Sequence, residues 1–131
     1  MRLWFVVLLV LVCGCVTPGV APAPPSIESF TVPSQVYHSR ENMNITVVVN
    51  AGSAVENATL KVYGINSRYY RLDQSRKLNL TYGANTISID YATPQCFGCA
   101  GISPGRYNVT AELYVNEQAI DNRTIEIDIQ Q

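Results

Sequence analysis

Cys96-Phe97-Gly98-Cys99 places two thiols three residues apart, and that spacing offers three chemistries. The pair can close a small disulfide, cycle as a redox couple, or supply half of a tetrahedral zinc site. Structural zinc generally takes four ligands, and no second pair or suitable histidine lies near in the sequence, so no metal is expected. A thioredoxin-like site needs a helix straight after its first cysteine to lower the thiol pKa. Here Ala100-Gly101-Ile102-Ser103-Pro104-Gly105 breaks any helix. A Cys96–Cys99 disulfide that shapes a long loop is therefore expected, with a redox pair or a cross-link between chains as alternatives. Only four residues are enclosed, so its contribution to stability is small.

Arg68-Tyr69-Tyr70-Arg71, followed by Arg76-Lys77, gathers four cations and two aromatics within ten residues. Such a run can grip an acidic glycan or a lipid headgroup, or it can form a solvated hairpin whose charges keep an edge strand from mispairing. The single histidine, His38, has no Cys or His companion and reads as a surface loop residue. No nucleophile motif, phosphate-binding glycine loop or paired-acid constellation is present in the sequence, so no catalytic residue, cofactor or enzymatic activity is expected. A formal net charge of -1 gives the whole molecule no means of neutralising phosphates, which argues against a nucleic-acid partner.

Asn44, Asn57, Asn79, Asn108 and Asn122 each open an Asn-x-Thr triplet without proline: five of the ten asparagines, where one or two would match by chance. On a strand, residues i and i+2 share a face, and in four triplets the middle residue is apolar while Arg123 sits near a turn. The five asparagines are expected to face solvent, either as acceptors for N-linked glycans or as plain strand polarity.

Cys13 and Cys15 belong to a different signal. Met1-Arg2 gives a positive start, residues 3–12 are unbroken apolar, and small Gly14 precedes Cys15. As a helix, ten residues rise only ~15 Å, about half of a ~30 Å hydrocarbon core. Val12-Cys13-Gly14-Cys15 resembles a lipoprotein signal, with Cys13 in a slot more often filled by Ala or Ser. That resemblance implies removal of residues 1–14 and a lipid on Cys15; the alternative is a signal cut nearby in which both cysteines are incidental. Residues 15–26 then form a tether, within which TPGVAPAPPS has four prolines in ten residues and extends up to ~30 Å as polyproline. The expected place of such a chain is the outer face of a cell membrane, held by its N-terminal lipid. Lipid signal and sequons together point to an archaeal surface protein.

From residue 27 to 131 the apolar period is two. Met43, Ile45, Val47 and Val49 alternate with polar neighbours, as do Ala58, Leu60 and Val62; Ile87, Ile89 and Tyr91; Tyr107 through Val115; and Ile125, Ile127 and Ile129. Turn signals separate them at Ala51-Gly52-Ser53, Tyr82-Gly83, Ser103-Pro104-Gly105 and Asn116-Glu117. With Ile27–Val32 and a short pairing around Lys77–Leu80, about seven strands result. That is the pattern of a single all-β, antiparallel, Ig-like sandwich.

MNITVVVNAGSAVENATLKVYG, and later SPGRYNVTAELYVNEQAIDNRTIEI, resemble the Ig-like and fibronectin-like extracellular modules, most closely the cell-adhesion-related (CARDB-type) domains of bacterial and archaeal surface proteins. The likeness spans residues 27–129 and departs from the family in its inserted cysteine loop and in lacking an Asn-rich acidic ending. It implies a non-catalytic module that contacts a surface protein or a glycan. A redox-active envelope protein using Cys96 and Cys99, and an accessory subunit of a surface or transport complex, are the competing expectations.

Overall fold

The computed structural model describes Gly19, residues 21–96 and residues 101–131. The expected export signal, with Cys13 and Cys15, lies outside the described residues, as does Cys99. Eight strands follow in order: β1 (Ser26–Thr31), β2 (Val36–His38), β3 (Asn42–Ala51), β4 (Val55–Ser67), β5 (Tyr69–Leu80), β6 (Gly83–Ala92), β7 (Gly105–Val115) and β8 (Gln118–Gln130). They form two sheets, one of three strands in the order β1-β3-β6 and one of five in the order β2-β8-β7-β4-β5.

The alternation in sequence becomes the core. Met43, Ile45, Val47 and Val49 of β3 are fully buried, and they share one cluster with Leu60 and Val62 of β4, Val109, Ala111 and Leu113 of β7, and Ile127 and Ile129 of β8. Each strand thus turns one row of side chains into the space between the sheets and the other row outward. Ile87, Tyr91, Tyr107 and Ile125 pack against the cluster while keeping partial exposure at its margins.

Two strands differ from the sequence expectation. β2 is only three residues long and runs parallel to β8, so the sandwich is not wholly antiparallel. Only Tyr37 of β2 is buried, which is too short a run for any period to show. β5 extends over twelve residues, far beyond the pairing expected around Lys77–Leu80. It is an edge strand, and its Arg, Lys, Asp and Gln side chains hide the alternation.

β1 carries a bulge between Ile27 and Ser29. A bulge removes backbone groups from the ladder, and here β8 supplies their partners. The N–H of Ile27 donates to Asp121 Oδ2 at 2.7 Å, and Arg123 Nη2 donates to the Ile27 carbonyl at 3.2 Å. Thr93 is a buried polar side chain in the same position of need: its hydroxyl donates to the His38 carbonyl at 2.6 Å and accepts from the Glu41 N–H at 2.9 Å. His38 itself is exposed at the end of β2, 3.4 Å from a Glu41 carboxylate oxygen.

Candidate functional site

The strand pairing opens a cleft in the five-stranded sheet. β4 pairs with β7 only as far as Gly64 opposite Val109. Beyond that point β4 continues with β5 to Ser67 opposite Tyr69, and β7 continues with β8 to Gly105 opposite Ile129. The two ribbons separate, and a groove of about 500 Å³ opens between them.

The local backbone accounts for the separation. A Cβ on Gly64 would collide with the Asn108 carbonyl oxygen, so the strands approach this closely only because residue 64 has no side chain. Ile65 follows with φ 55°, an unfavourable conformation for a β-branched residue, yet its side chain is fully buried. The burial alternation of β4 therefore slips by one: Ala58, Leu60, Val62 and Gly64 face inward, Ile65 does too, and Asn66 turns out. Arg68, φ 65°, then closes the hairpin into β5.

Tyr63, Asn66 and Tyr70 form one wall, and Arg106, Tyr107, Asn108, Thr110 and Thr124 form the other. The rings of Tyr63 and Tyr70 meet edge to face, centroids 5.1 Å apart and planes at 62°. The Tyr63 hydroxyl donates to Glu112 Oε2 at 3.2 Å. Burial, followed by that bond and the Glu112 charge, pushes the Tyr63 phenol up from its ordinary value. Burial also raises Tyr107, whose hydroxyl donates to the Ser103 carbonyl. These phenols therefore stay neutral donors at physiological pH. Arg106 lies 3.5 Å from Glu126 in an exposed pair, so its guanidinium is held loosely at the groove mouth.

Such a surface offers flat apolar ring faces, amides that donate and accept side by side, hydroxyls and one cation. It suits a ligand with an apolar face and a hydroxyl rim. Among the described residues no group of three His, Cys, Asp or Glu side chains is placed to hold a metal.

Of the six cluster residues singled out in the sequence, only Tyr70 lines this groove. Arg71 stacks its guanidinium on Tyr69, 4.5 Å from the ring centroid, and its charge reaches Tyr91 rather than the groove. Arg76 sits opposite buried Leu60, and Lys77 opposite Thr59, beside a second hollow formed with Glu56, Asn57 and Glu117. Arg68 occupies the hairpin tip. The run is thus split along an edge strand.

The sequon asparagines all lie on the side of their strands away from the core. Asn57, Asn79, Asn108 and Asn122 are exposed, but Asn44 is half-buried. Its amide nitrogen donates to Ser88 Oγ at 2.9 Å and to Asp90 Oδ1 at 2.8 Å. Asn108 and Thr110, read from the sequence only as a sequon, are both groove residues. Tyr63, Arg106 and Thr124 were marked only by outward parity on strands that prove to be neighbours, Thr124 also closing the Asn122 sequon, while Asn66 had inward parity in the sequence and faces out only because Ile65 shifts the alternation.

The expected disulfide is corrected. Cys96 is a free thiol, 5% exposed, with its sulfur 3.5 Å from the Gln130 carbonyl and its N–H donating to Ser39 Oγ at 2.8 Å. The residue makes an isolated bridge with Ile102 and joins the core. Its side chain serves packing rather than loop closure, and a buried sulfur is out of reach of a redox partner.

No protein-family model matches the chain. Nor does any curated protein match it in sequence. Solved structures do share its fold. The C-terminal domain of wzt superposes with a TM-score of 0.64 at 8% identity, covering 85% of this chain and 77% of that one. The CARDB domain of a Pyrococcus furiosus protein, solved in complex with di-metal ions, gives 0.54 at 14% identity over 82% of this chain and 93% of its own. Part of the Pseudomonas fluorescens alkylpurine DNA glycosylase bound to abasic-site DNA gives 0.59 at 16% identity, and there this chain covers 83% of itself but spans only 31% of the enzyme. These likenesses establish a common sandwich architecture, that of CARDB-like domains included.

Proposed function

We propose that this protein is a surface-displayed binding module that takes a saccharide into the groove between the β4–β5 and β7–β8 ribbons. The observation that carries the reading is the pairing of edge-to-face Tyr63 and Tyr70 with the amides of Asn66 and Asn108 across a cleft of about 500 Å³. A sugar ring presents C–H groups on its faces and hydroxyls on its rim. Tyrosine faces cover the first at low entropic cost, and side-chain amides bond adjacent hydroxyls in pairs. The volume is that of a small-ligand site and accommodates one or two sugar rings.

The remainder of the proposal concerns display. Residues 1–14 would be the export signal, Cys15 the lipid-bearing first residue of the mature chain, residues 15–26 the tether and residues 27–131 the module. One acyl chain holds weakly, so two lipid tails or a second membrane contact would be needed. The four exposed sequons are the stronger candidates for glycosylation, since Asn44 already spends both amide hydrogens on Ser88 and Asp90. A glycan on Asn108 would fill the groove, so binding belongs to the form bare at that position.

The test of the site is titration of the purified chain against a panel of oligosaccharides, followed by tyrosine fluorescence. Binding by at least one saccharide class, weakened roughly tenfold or more by Tyr70→Ala and by Asn66→Ala, is the expected result. A flat response across the panel, or binding indifferent to both substitutions, refutes it. Intact mass of the native chain tests display separately: the expected species starts at Cys15, carries lipid, and loses mass on deglycosylation.

A further inference from the structure

A two-sheet sandwich has four edge strands, and each presents unpaired N–H and C=O groups that invite another strand. Here three of the four are guarded. β1 is bulged and bracketed by Asp121 and Arg123. β2 is three residues long. On β5, Arg76 lies opposite buried Leu60 and so shares its inward side, a charge that would be trapped by any added strand.

β6 has none of these devices. Its ten residues, GANTISIDYA, pair with β3 in unbroken register from Ala51 opposite Gly83 to Asn42 opposite Ala92. There is no proline, lysine or arginine, and Asp90 is the single charge. Among the described strands β3 is its only hydrogen-bonded neighbour. Ile87 and Tyr91, on its core side, keep partial exposure at the open flank of the sandwich.

We propose that β6 pairs antiparallel with β6 of a second copy of this chain, about a two-fold axis at Ser88, fusing the two three-stranded sheets into one. The choice of a second copy follows from self-complementarity. Opposite residues in a sheet share a face, which leaves two registers that use the whole strand: one centred on Ile87 and one on Ser88. With Ile87 at the axis, the Asp90 carboxylate meets the methyl of Ala84, and Ile89 meets Asn85. With Ser88 at the axis, Asp90 meets the Thr86 hydroxyl, Ile87 meets Ile89, and Ala84 meets Ala92. The second register matches these pairs polar with polar and apolar with apolar, and leaves Tyr91 opposite Asn85 as its one mixed pair. A two-fold interface requires that kind of self-match. The pairing does not depend on a ligand in the groove, which lies on the five-stranded sheet.

Sedimentation equilibrium of the full chain in density-matched detergent tests the proposal. The wild type is expected to dimerise reversibly below about 100 μM. Ser88→Lys and Ser88→Asp each put like charges face to face at the axis, and each is expected to weaken the dimer by about fivefold or more. An equimolar mixture of the two places Lys opposite Asp and is expected to recover association. Circular dichroism and the unfolding midpoint of each variant establish that the fold is intact. A wild type that stays monomeric at all concentrations reached, variants that dimerise as well as the wild type, or a mixture that stays monomeric overturns the proposal. The first of those outcomes would leave the edge to a strand from a different protein.

Discussion

Gly64 on β4 and Asn108 on β7 are in backbone contact at the point where their strands part. A Cβ built on Gly64 would run into the Asn108 carbonyl oxygen and would lie 2.8 Å from Cα of Val109. The neighbours are backbone atoms of a central strand, so they cannot swing aside as a flexible side chain would. Gly64→Ala is expected to destabilise the fold by about 2 kcal/mol or more. Urea unfolding measures this, and a midpoint within error of the wild type would mean that the strands are not this close.

The β7–β8 connection is the two-residue turn Asn116-Glu117, with φ of 50° and 64°. Two left-handed residues in succession define the type I′ turn that matches the right-handed twist of a hairpin. Asn tolerates that conformation; Glu does so at a cost, because its Cβ crowds the carbonyl. Glu117→Gly is therefore expected to stabilise by about 0.5–1 kcal/mol, the reverse of the usual effect of glycine in a chain. A rise in the denaturant midpoint with an unchanged slope checks it, and a fall would show that Glu117 makes contacts worth more than its strain.

Much of this architecture was legible because burial on a strand writes itself as alternation. The rows Met43-Ile45-Val47-Val49 and Val109-Ala111-Leu113 appear in the sequence as they appear in the core. β5 was illegible for the converse reason: an edge strand needs charges more than it needs alternation, so Arg71, Arg76 and Lys77 read as part of a local cluster of cations and tyrosines. The groove could not be read at all from contiguous residues. It exists because Gly64 and Ile65 turn β4 away from β7, and its walls come from four strands. Cys96 misled through its spacing to Cys99, since a C-x-x-C string says nothing about whether the first sulfur points into the loop or into the core.

Tyr91 of β6 supplies a pH dependence. Burial pushes its phenol up to about 12 from an ordinary 10.0, and the Arg71 charge offsets part of that rise. In the unfolded chain the phenol loses its proton near pH 10, while the folded chain still holds it. The folded state then binds more protons, so stability falls as pH rises from about 10 towards 12 and is unaffected below that window. Tyr91→Phe should flatten this part of the alkaline unfolding curve. Arg71→Met removes the offsetting cation, so the Tyr91 titration, followed by tyrosinate absorbance, should move still higher. A downward move would show that Arg71 does not act on Tyr91.

Tyr63 and Tyr70 come from different strands, and their edge-to-face contact joins the two sides of the β4–β5 ribbon where it overhangs the groove. An aromatic pair in this geometry adds about 0.5–1.5 kcal/mol beyond the area it buries. Tyr70 is 49% exposed, so its removal costs little in lost burial, whereas Tyr63 is half-buried and bonded to Glu112. A double-mutant cycle with Tyr63→Leu and Tyr70→Leu should therefore give unequal single effects, larger for Tyr63, and a coupling of about 0.5–1 kcal/mol. Tyr63→Phe separates the hydroxyl from the ring: it keeps the coupling to Tyr70 while releasing Glu112. Glu112 also holds the Tyr114 phenol above its ordinary value, so losing the Tyr63 hydroxyl leaves Tyr114 as the remaining phenol that the carboxylate acts on. Additive effects of the two leucine substitutions would mean that the rings do not touch in solution, and the wall of the groove would then have to be formed without them.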